Sequence, residues 1–257
     1  MRVLALETAS YHGGAGIWTP DGLRFRGPFE SRSASREILA ATDELLSELG
    51  LRLEDLDLVA ASTGPGLFTG VRVGLSIAKT LVWSVRAATG SDRPALVGVP
   101  TLDAVAACAA DSPSGAASAP FIVAAGDARR GEIYAALFRA SEGAGSEPER
   151  LGVDIVAKPE HVMERLGAAI HAPILSDCAV HFIGDGAQRY RELLSEIHPR
   201  ATGFERPEPA LLLEKIAELG IARMAGQALA HPMELKPHYV RRPDARPSVV
   251  LFEPTAK

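Results

Sequence analysis

Ser62-Thr63-Gly64-Pro65-Gly66-Leu67-Phe68-Thr69-Gly70-Val71-Arg72-Val73-Gly74-Leu75-Ser76-Ile77-Ala78-Lys79 is the stretch on which the reading of this chain turns. It follows an apolar, strand-like run (Leu58, Val59, Ala60, Ala61) and turns on Gly64, Pro65 and Gly66. It then enters a predicted helix, capped by Thr69, that runs to about Ala88. Gly70, Gly74 and Ala78 recur every four residues, so they share one face of that helix. A glycine turn offering N–H groups at a helix N-terminus suits an anion. A line of residues with almost no side chain suits close approach of another backbone.

The spacing excludes the common phosphate motifs. A Walker loop needs Lys directly after its last glycine, whereas Val71 follows Gly70 and Ala78 stands where Lys79-Thr80 would need a glycine. The dinucleotide pattern fails too, because Gly64, Gly66 and Gly70 are spaced two and four apart. Packing or partner contact is therefore the favoured reading of the small-residue line.

A chain of 257 residues can bury a substantial core. Its 47% apolar and 23% charged residues fit a globular protein. A formal net charge of −5 argues against a broad nucleic-acid footprint, and Arg129-Arg130 and Arg241-Arg242 read as solvated surface pairs. The apolar start ends at Glu7, too short for a signal segment, and no run reaches membrane-spanning length, so a cytoplasmic, membrane-free protein is expected. Cys108 and Cys178 form no paired motif and read as small apolar residues.

The order of elements repeats. Residues 3–6, 15–18 and 23–25 read as strands, the last two joined by Pro20-Asp21-Gly22. A helix capped by Ser33 or Ser35 then carries Ile38, Leu39, Thr42, Leu45, Leu46 and Leu49 on one face and stops at Gly50. The strand, glycine turn and long helix follow, then a short strand at 97–99 and a helix opened by Pro100. The second half restarts with strands at 121–125 and 133–138, joined by Asp127-Ala128-Arg129-Arg130-Gly131. It continues with a helix over 159–170, a strand at 181–183, and the turn Gly184-Asp185-Gly186-Ala187 into a helix over 188–197. Residues 111–119 and 141–149 read as loops, 208–230 as a further helix and 237 onward as extended. Each half opens on a strand ending near an acid, Glu7 or Asp127, and goes on to a strand–glycine turn–helix, the mark of a structural duplication.

Several segments in this order resemble the TsaB family, also called YeaZ: VLALETAS from Val3, STGPGLFTGVRVGLSIAKTL from Ser62, DARRGEIY from Asp127, GDGA from Gly184 and KPHYVRRP from Lys236. The resemblance runs nearly end to end. It implies an α/β chain of the actin/Hsp70/sugar-kinase (ASKHA) fold, two RNase-H-like lobes with mixed sheets flanked by helices and facing each other across a cleft. The lobes would be 1–103 and 104–205, with the helix 208–230 packed back on the first and an extended tail at 231–257. It also implies a scaffold subunit in the making of threonylcarbamoyladenosine beside the anticodon of ANN-decoding tRNAs. Such a subunit homodimerises, alternatively pairs with the catalytic subunit TsaD, is joined by the ATPase TsaE, and meets tRNA only through the complex.

Two departures bear on catalysis. The catalytic relative carries His-x-x-x-His on a helix, two imidazoles that hold a metal; the matching segment here, 31–49, contains no histidine. The seven histidines lie elsewhere, no two of them three or four apart, so no metal site and no catalytic residue is expected. In this fold a short carboxylate at the end of the first strand serves the metal–phosphate group, and here Glu7 stands there, one methylene longer, followed by Thr8 and Ser10. With Asp127, Arg129, Gly184, Asp185 and Gly186 these residues would line a vestigial cleft with at most weak ATP or ADP binding and no cofactor otherwise.

The expected partner surface is Ile38, Leu39, Thr42, Leu45, Leu46 and Leu49 with Gly70, Val71, Gly74, Leu75, Ala78, Leu81 and Val82. The long helix is wetted on one stripe only, Arg72, Ser76, Lys79 and Arg86, and the two helices would join a partner's pair into a bundle. Competing readings are an ATP-dependent small-molecule kinase or a metallopeptidase-like enzyme of the superfamily, and a stand-alone tRNA-binding module. ATP turnover, metal content and a salt-sensitive tRNA shift respectively discriminate them.

Overall fold

The structure, a computed structural model, describes residues 1–30, 34–111, 119–141, 147–169, 178–226 and 231–241. Two five-stranded mixed sheets form its frame. The first contains β1 (Val3–Glu7), β2 (His12–Thr19), β3 (Gly22–Glu30), β4 (Leu58–Ser62) and β5 (Ala95–Val99) in the order β3-β2-β1-β4-β5. The second contains β6 (Phe121–Arg129), β7 (Glu132–Arg139), β8 (Glu149–Ala157), β9 (Val180–Ile183) and β10 (Ala201–Glu205) in the order β8-β7-β6-β9-β10. In each, the opening strand pairs antiparallel with the second and parallel with the fourth. The duplication expected from element order is thus present as a duplicated topology, and the architecture is α/β, two mixed sheets flanked by helices.

Helices α1 (Ala34–Glu48) and α2 (Phe68–Thr89) cover the outer face of the first sheet. Helix α7 (Pro209–Gly226) lies on its other face, with Gly220 pressed so close to Ala60 that a Cβ would stand 2.7 Å from that methyl carbon. Helix α3 (Thr101–Ala107), buried at every residue, joins α7 in a shared core that also takes in Ile122, Ala136 and Phe138 of the second sheet. Helices α4 (Val162–Ala169), α5 (Asp185–Arg189) and α6 (Arg191–Ile197) sit with the second sheet's remaining core, around Phe182 and Phe204, whose rings stack at 5.6 Å. Phe138 and Phe182 are among the largest fully buried side chains, each contributing about 1.5–3 kcal/mol by leaving water.

Several expectations are corrected. Strands β8 and β10 were not read from the sequence, and the helix after Gly184 begins at once on Asp185 rather than at 188. Helix α2 starts at Phe68, so Thr69 lies inside it and the N-cap is Leu67, with no side-chain cap bond. Its stop is sharper than expected, since Gly90 takes the left-handed conformation at φ 69° and donates to Arg86 O. Ser35 lies within α1, not before it, and Ser33 falls outside the described residues, as do 227–230 of the last predicted helix and the tail beyond 241.

Candidate functional site: an interlobe cleft and a helix groove

The glycine line resolves in favour of close approach, but the approaching backbone belongs to this chain. Segment Thr8-Ala9, leaving β1, runs under the glycine turn, where Leu67 N donates to Ala9 O at 2.7 Å. A Cβ on Gly66 would stand 2.3 Å from Ala9 O, one on Gly70 2.0 Å from Thr8 O, and one on Gly74 2.1 Å from Thr8 Oγ1. Ala78 is fully buried. The expectation that Gly70, Gly74 and Ala78 admit a partner helix is therefore corrected, because their space is already filled from within.

The same correction reaches most of the expected partner surface. Ile38, Thr42, Leu45, Leu46, Val71, Leu75 and Val82 are buried against the first sheet, and Leu49 and Leu81 are half-buried. Leu39 is exposed at 47%. What remains open is a groove between α1 and α2, about 690 Å³, lined among others by Leu39, Leu46, Leu51, Leu81, Val85 and Ala88. On the opposite flank of α2, away from this groove, Trp83 is 64% exposed. The sequence reading missed Trp83, yet it stands four residues after Lys79 on the stripe assigned to water, where an indole is out of place.

Two residues of that stripe, Arg72 and Lys79, hold the chain's own C-terminal segment. Arg72 Nε donates to the Tyr239 hydroxyl at 2.6 Å, and Lys79 Nζ to Met233 O at 3.2 Å. Arg86 donates from two nitrogens to Pro94 O. His238 fixes the segment further, donating its backbone N–H to Thr63 O at 2.8 Å and placing Nε2 2.8 Å from Asp154.

The expected cleft residues divide into two groups. Glu7 is 1% exposed; its Oε1 accepts from Ser10 N at 2.8 Å, while Oε2 is buried without a partner among the described residues. Burial pushes this carboxyl up from its ordinary range, against the pull of its bonds with Ser10, Ser62 and Ala9. Thr8 Oγ1 is likewise buried and unpartnered in the structure. Neither residue lines the cavity between the lobes. Ser10, Tyr11, Gly66, Leu67, Asp127, Gly184, Asp185 and Arg206 are among those that do.

The second half assembles its share from two turns. Asp185 Oδ1 accepts from Asp127 N at 2.9 Å, and burial raises the Asp185 carboxyl, opposed by that bond. Asp127 in turn accepts from Arg129 N at 2.9 Å, with Arg129 and Arg189 guanidinium nitrogens 3.5 and 3.7 Å from its other oxygen. The Arg129 guanidinium stacks 3.5 Å above the Tyr11 ring, a cation–π contact that bridges the halves. The β6–β7 connection turns on Arg130 and Gly131, both left-handed at φ 56° and 77°, as a two-residue hairpin requires.

These residues do not fit a metal–nucleotide. A Cβ on Gly184 would stand 2.2 Å from Ala125 O and one on Gly186 2.8 Å from Gly126 C, so this turn too is closed on its own strand. The space between the turns is about 50 Å³, room for a few waters, and adjoins a wider cavity of about 480 Å³ with which it shares Pro65, Gly66, Leu67, Asp127 and Tyr134. Asp127 is already neutralised by two arginines. Among the described residues no group of three or more His, Cys, Asp or Glu side chains is placed to hold a metal ion. No helix is long and apolar enough to cross a membrane among those residues.

Comparison with known proteins gives this geometry a family. Residues 29–249 match the family profile described as TsaD, tRNA N6-adenosine threonylcarbamoyltransferase. The chain is 34% identical over 169 residues to the tRNA threonylcarbamoyladenosine biosynthesis protein TsaB of Escherichia coli, a match covering 65% of this chain and 66% of that one. It is 30% identical over 144 residues to the TsaB of Bacillus subtilis, covering 56% and 57%. The matched stretches thus span two thirds or less of these relatives' lengths. YeaZ from Pseudomonas aeruginosa, a solved structure 22% identical, superposes with a TM-score of 0.68 over 93% of this chain and 99% of that one, a likeness of fold. By its sequence relatives, and with the fold in agreement, the chain belongs to the TsaB (YeaZ) family, kin to the TsaD transferases.

Proposed function

We propose that this chain is a scaffold subunit for the synthesis of threonylcarbamoyladenosine in tRNA. It works by docking a catalytic TsaD-type subunit, or a second copy of itself, in the α1–α2 groove. One observation carries the reading: the molecule keeps an open groove of about 690 Å³ on its helical face, with leucines of both α1 and α2 in its lining. Leu39, which stays exposed at the groove's edge, is suited to anchor a helix-on-helix contact. Held there, the catalytic subunit is kept in the conformation that accepts threonylcarbamoyl-adenylate and passes its threonylcarbamoyl group to N6 of the tRNA adenine, with AMP leaving. TsaE joins this assembly, and tRNA contacts come through the partner. The relatives' names support the pathway; the groove supports the mode of action.

The variants that test this are Leu39→Asp and Ser84→Arg, one on each helix of the groove. Both side chains are exposed, so folding should change by no more than about 0.5 kcal/mol. A charge carried into the groove weakens docking by about 2 kcal/mol, or roughly thirty-fold, read by titrating the TsaD-type partner. Unchanged affinity in the double variant removes the groove from the interface. An in vitro modification assay that proceeds equally well with and without the chain removes the scaffold role itself.

A further inference from the structure

The stretch from Leu235 to Arg241 belongs to neither half alone. Pro237 holds Lys236 extended and offers no backbone N–H, and the stretch forms neither strand nor helix. It is held instead by separate contacts, and these fall into two sets.

The first set ties it to the first half. A Cβ on Gly98 of β5 would stand 2.5 Å from Leu235 Cδ1, and one on Gly64 2.9 Å from His238 O. His238 donates its backbone N–H to Thr63 O at 2.8 Å, and the Tyr239 hydroxyl accepts from Arg72 of α2. The second set ties it to the second half through side chains: His238 Nε2 stands 2.8 Å from Asp154 of β8, and Arg241 pairs with Glu132 of β7. Between the two sets, His238, Tyr239, Val240 and Arg241 form one wall of the cavity of about 480 Å³.

The sets differ in kind. The first includes a backbone bond and a leucine packed on the core of α1 and α2. The second rests on part-exposed groups, His238 at 49% and Glu132 at 35%. Contacts made at the surface open at far lower cost than a core such as the one that α3 and α7 share with both sheets. Asp154 is only 3% exposed, yet Arg150 also holds it at 2.7 Å, so it keeps a partner when the imidazole leaves.

We propose that residues 236–241 are a releasable clasp. They hold the two halves closed over this cavity, and they come off the second half, at His238 and Arg241, while staying fixed to the first. Closed and open forms are then two populations whose balance those two ties set. None of the ties involves a residue that lines the α1–α2 groove, so the clasp is independent of docking there.

The test is the distance between the halves in the full chain, read by pulsed electron resonance. Spin labels go on two exposed positions, Asp21→Cys at the β2–β3 turn and Glu164→Cys on α4; Cys178→Ser removes the part-exposed thiol, and Cys108 is buried. The otherwise unaltered chain should give one narrow distance. His238→Ala with Arg241→Gln should add a second, longer one, the open fraction rising by about ten-fold or more for two lost ties. Glu132→Gln leaves the clasp's own sequence intact and should populate the same longer distance to a smaller extent; it carries the test if the double variant does not fold. Tyr239→Phe cuts only the bond to Arg72, at the end that Leu235 and the His238 N–H still hold, and should keep the single distance. Two distances before any tie is cut overturn the proposal. So does an unchanged single distance in the folded double variant or in Glu132→Gln, or an opening in Tyr239→Phe as large as theirs.

Discussion

The two halves of the molecule solve the same packing problem with glycine and then part company in their chemistry. In the first, Gly66, Gly70 and Gly74 let the turn and helix after β4 lie against Thr8 and Ala9 at the end of β1. In the second, Gly184 and Gly186 let the turn after β9 lie against Ala125 and Gly126 in β6. Both turns are internal joints. Around them the halves differ: Glu7 is sealed away with one oxygen unpartnered, whereas Asp127 and Asp185 face the cleft among arginines. A duplicated topology keeps its joints because a side-chain carbon at these glycines would stand only 2–3 Å from the neighbouring strand. Nothing comparable holds its polar residues in place, and the two halves have diverged there.

The sharpest way to break the comparison is to add a methyl group at each joint. Gly70→Ala drives a Cβ to 2.0 Å from Thr8 O, and Gly184→Ala to 2.2 Å from Ala125 O at a φ of 123°. Each should cost about 3 kcal/mol or more, or prevent folding, read as a fall in urea midpoint and soluble yield. Gly126→Ala supplies the control. Its Cβ would meet nothing nearer than 3.8 Å, so stability should stay within about 0.5 kcal/mol of the parent or rise. If Gly70→Ala proves as mild as Gly126→Ala, the joint is not what fixes the helix on the strand.

A smaller effect separates the carboxylates. Glu7 keeps a proton more readily folded than unfolded, because burial raises its carboxyl. Its contribution to stability is then full below the ordinary value of 4.5 and is lost as pH rises through the higher folded value. Glu7→Gln removes the charge while keeping an acceptor for Ser10 N, and should stabilise the protein at pH 7 by roughly 1–3 kcal/mol with no gain at pH 4. Asp185, also raised by burial but bonded to Asp127 N and near Arg206, should show the same sign and a smaller gain as Asp185→Asn. Equal stability of Glu7→Gln and the parent across pH 4 to 7 would mean that water reaches this carboxylate.

What could be read in advance follows from how local each signal is. Element order and hydrophobic runs exposed the duplicated frame, since β1, β4, β6 and β9 are central strands with continuous apolar stretches. Strand β8 escaped notice because Arg150 and Asp154 interrupt its alternation; both are held in a network with Asp103 and Arg223 that no local pattern reveals. Strand β10 is a short edge strand broken by Gly203, with Phe204 as its buried residue. The glycine line announced a close approach, but a four-residue spacing says nothing about whose backbone approaches. Only the crossing of residues 8–9 beneath it decides that. The wider cavity beside the cleft was illegible for the same reason, since Arg129 and Arg241, both in its lining, are 112 positions apart along the chain.

The least of these differences concerns an imidazole. His181, on β9, is fully buried and has its pKa lowered from 6.5, chiefly by desolvation and partly opposed by Glu205 at 3.3 Å. Its ring also fills the space beside Gly203, where a Cβ would stand 2.7 Å from Cε1. A neutral ring in the fold faces an unfolded chain that takes up a proton below the ordinary value, so the unfolded state binds more protons there. The contribution of His181 is therefore full above 6.5 and is lost as pH falls from 6.5 toward the lowered folded value. His181→Gln is neutral at every pH and should flatten the stability curve in that window by no more than about 1.4 kcal/mol per pH unit, the limit for a single proton. Hydrogen exchange followed at pH 7 and pH 5 reads the two sheets separately. Selective loss of protection in β9 and β10 of the parent, absent in the variant, would assign the acid-sensitive joint to the second half. Equal loss in both sheets would show that the shared core of α3 and α7 makes the halves open together.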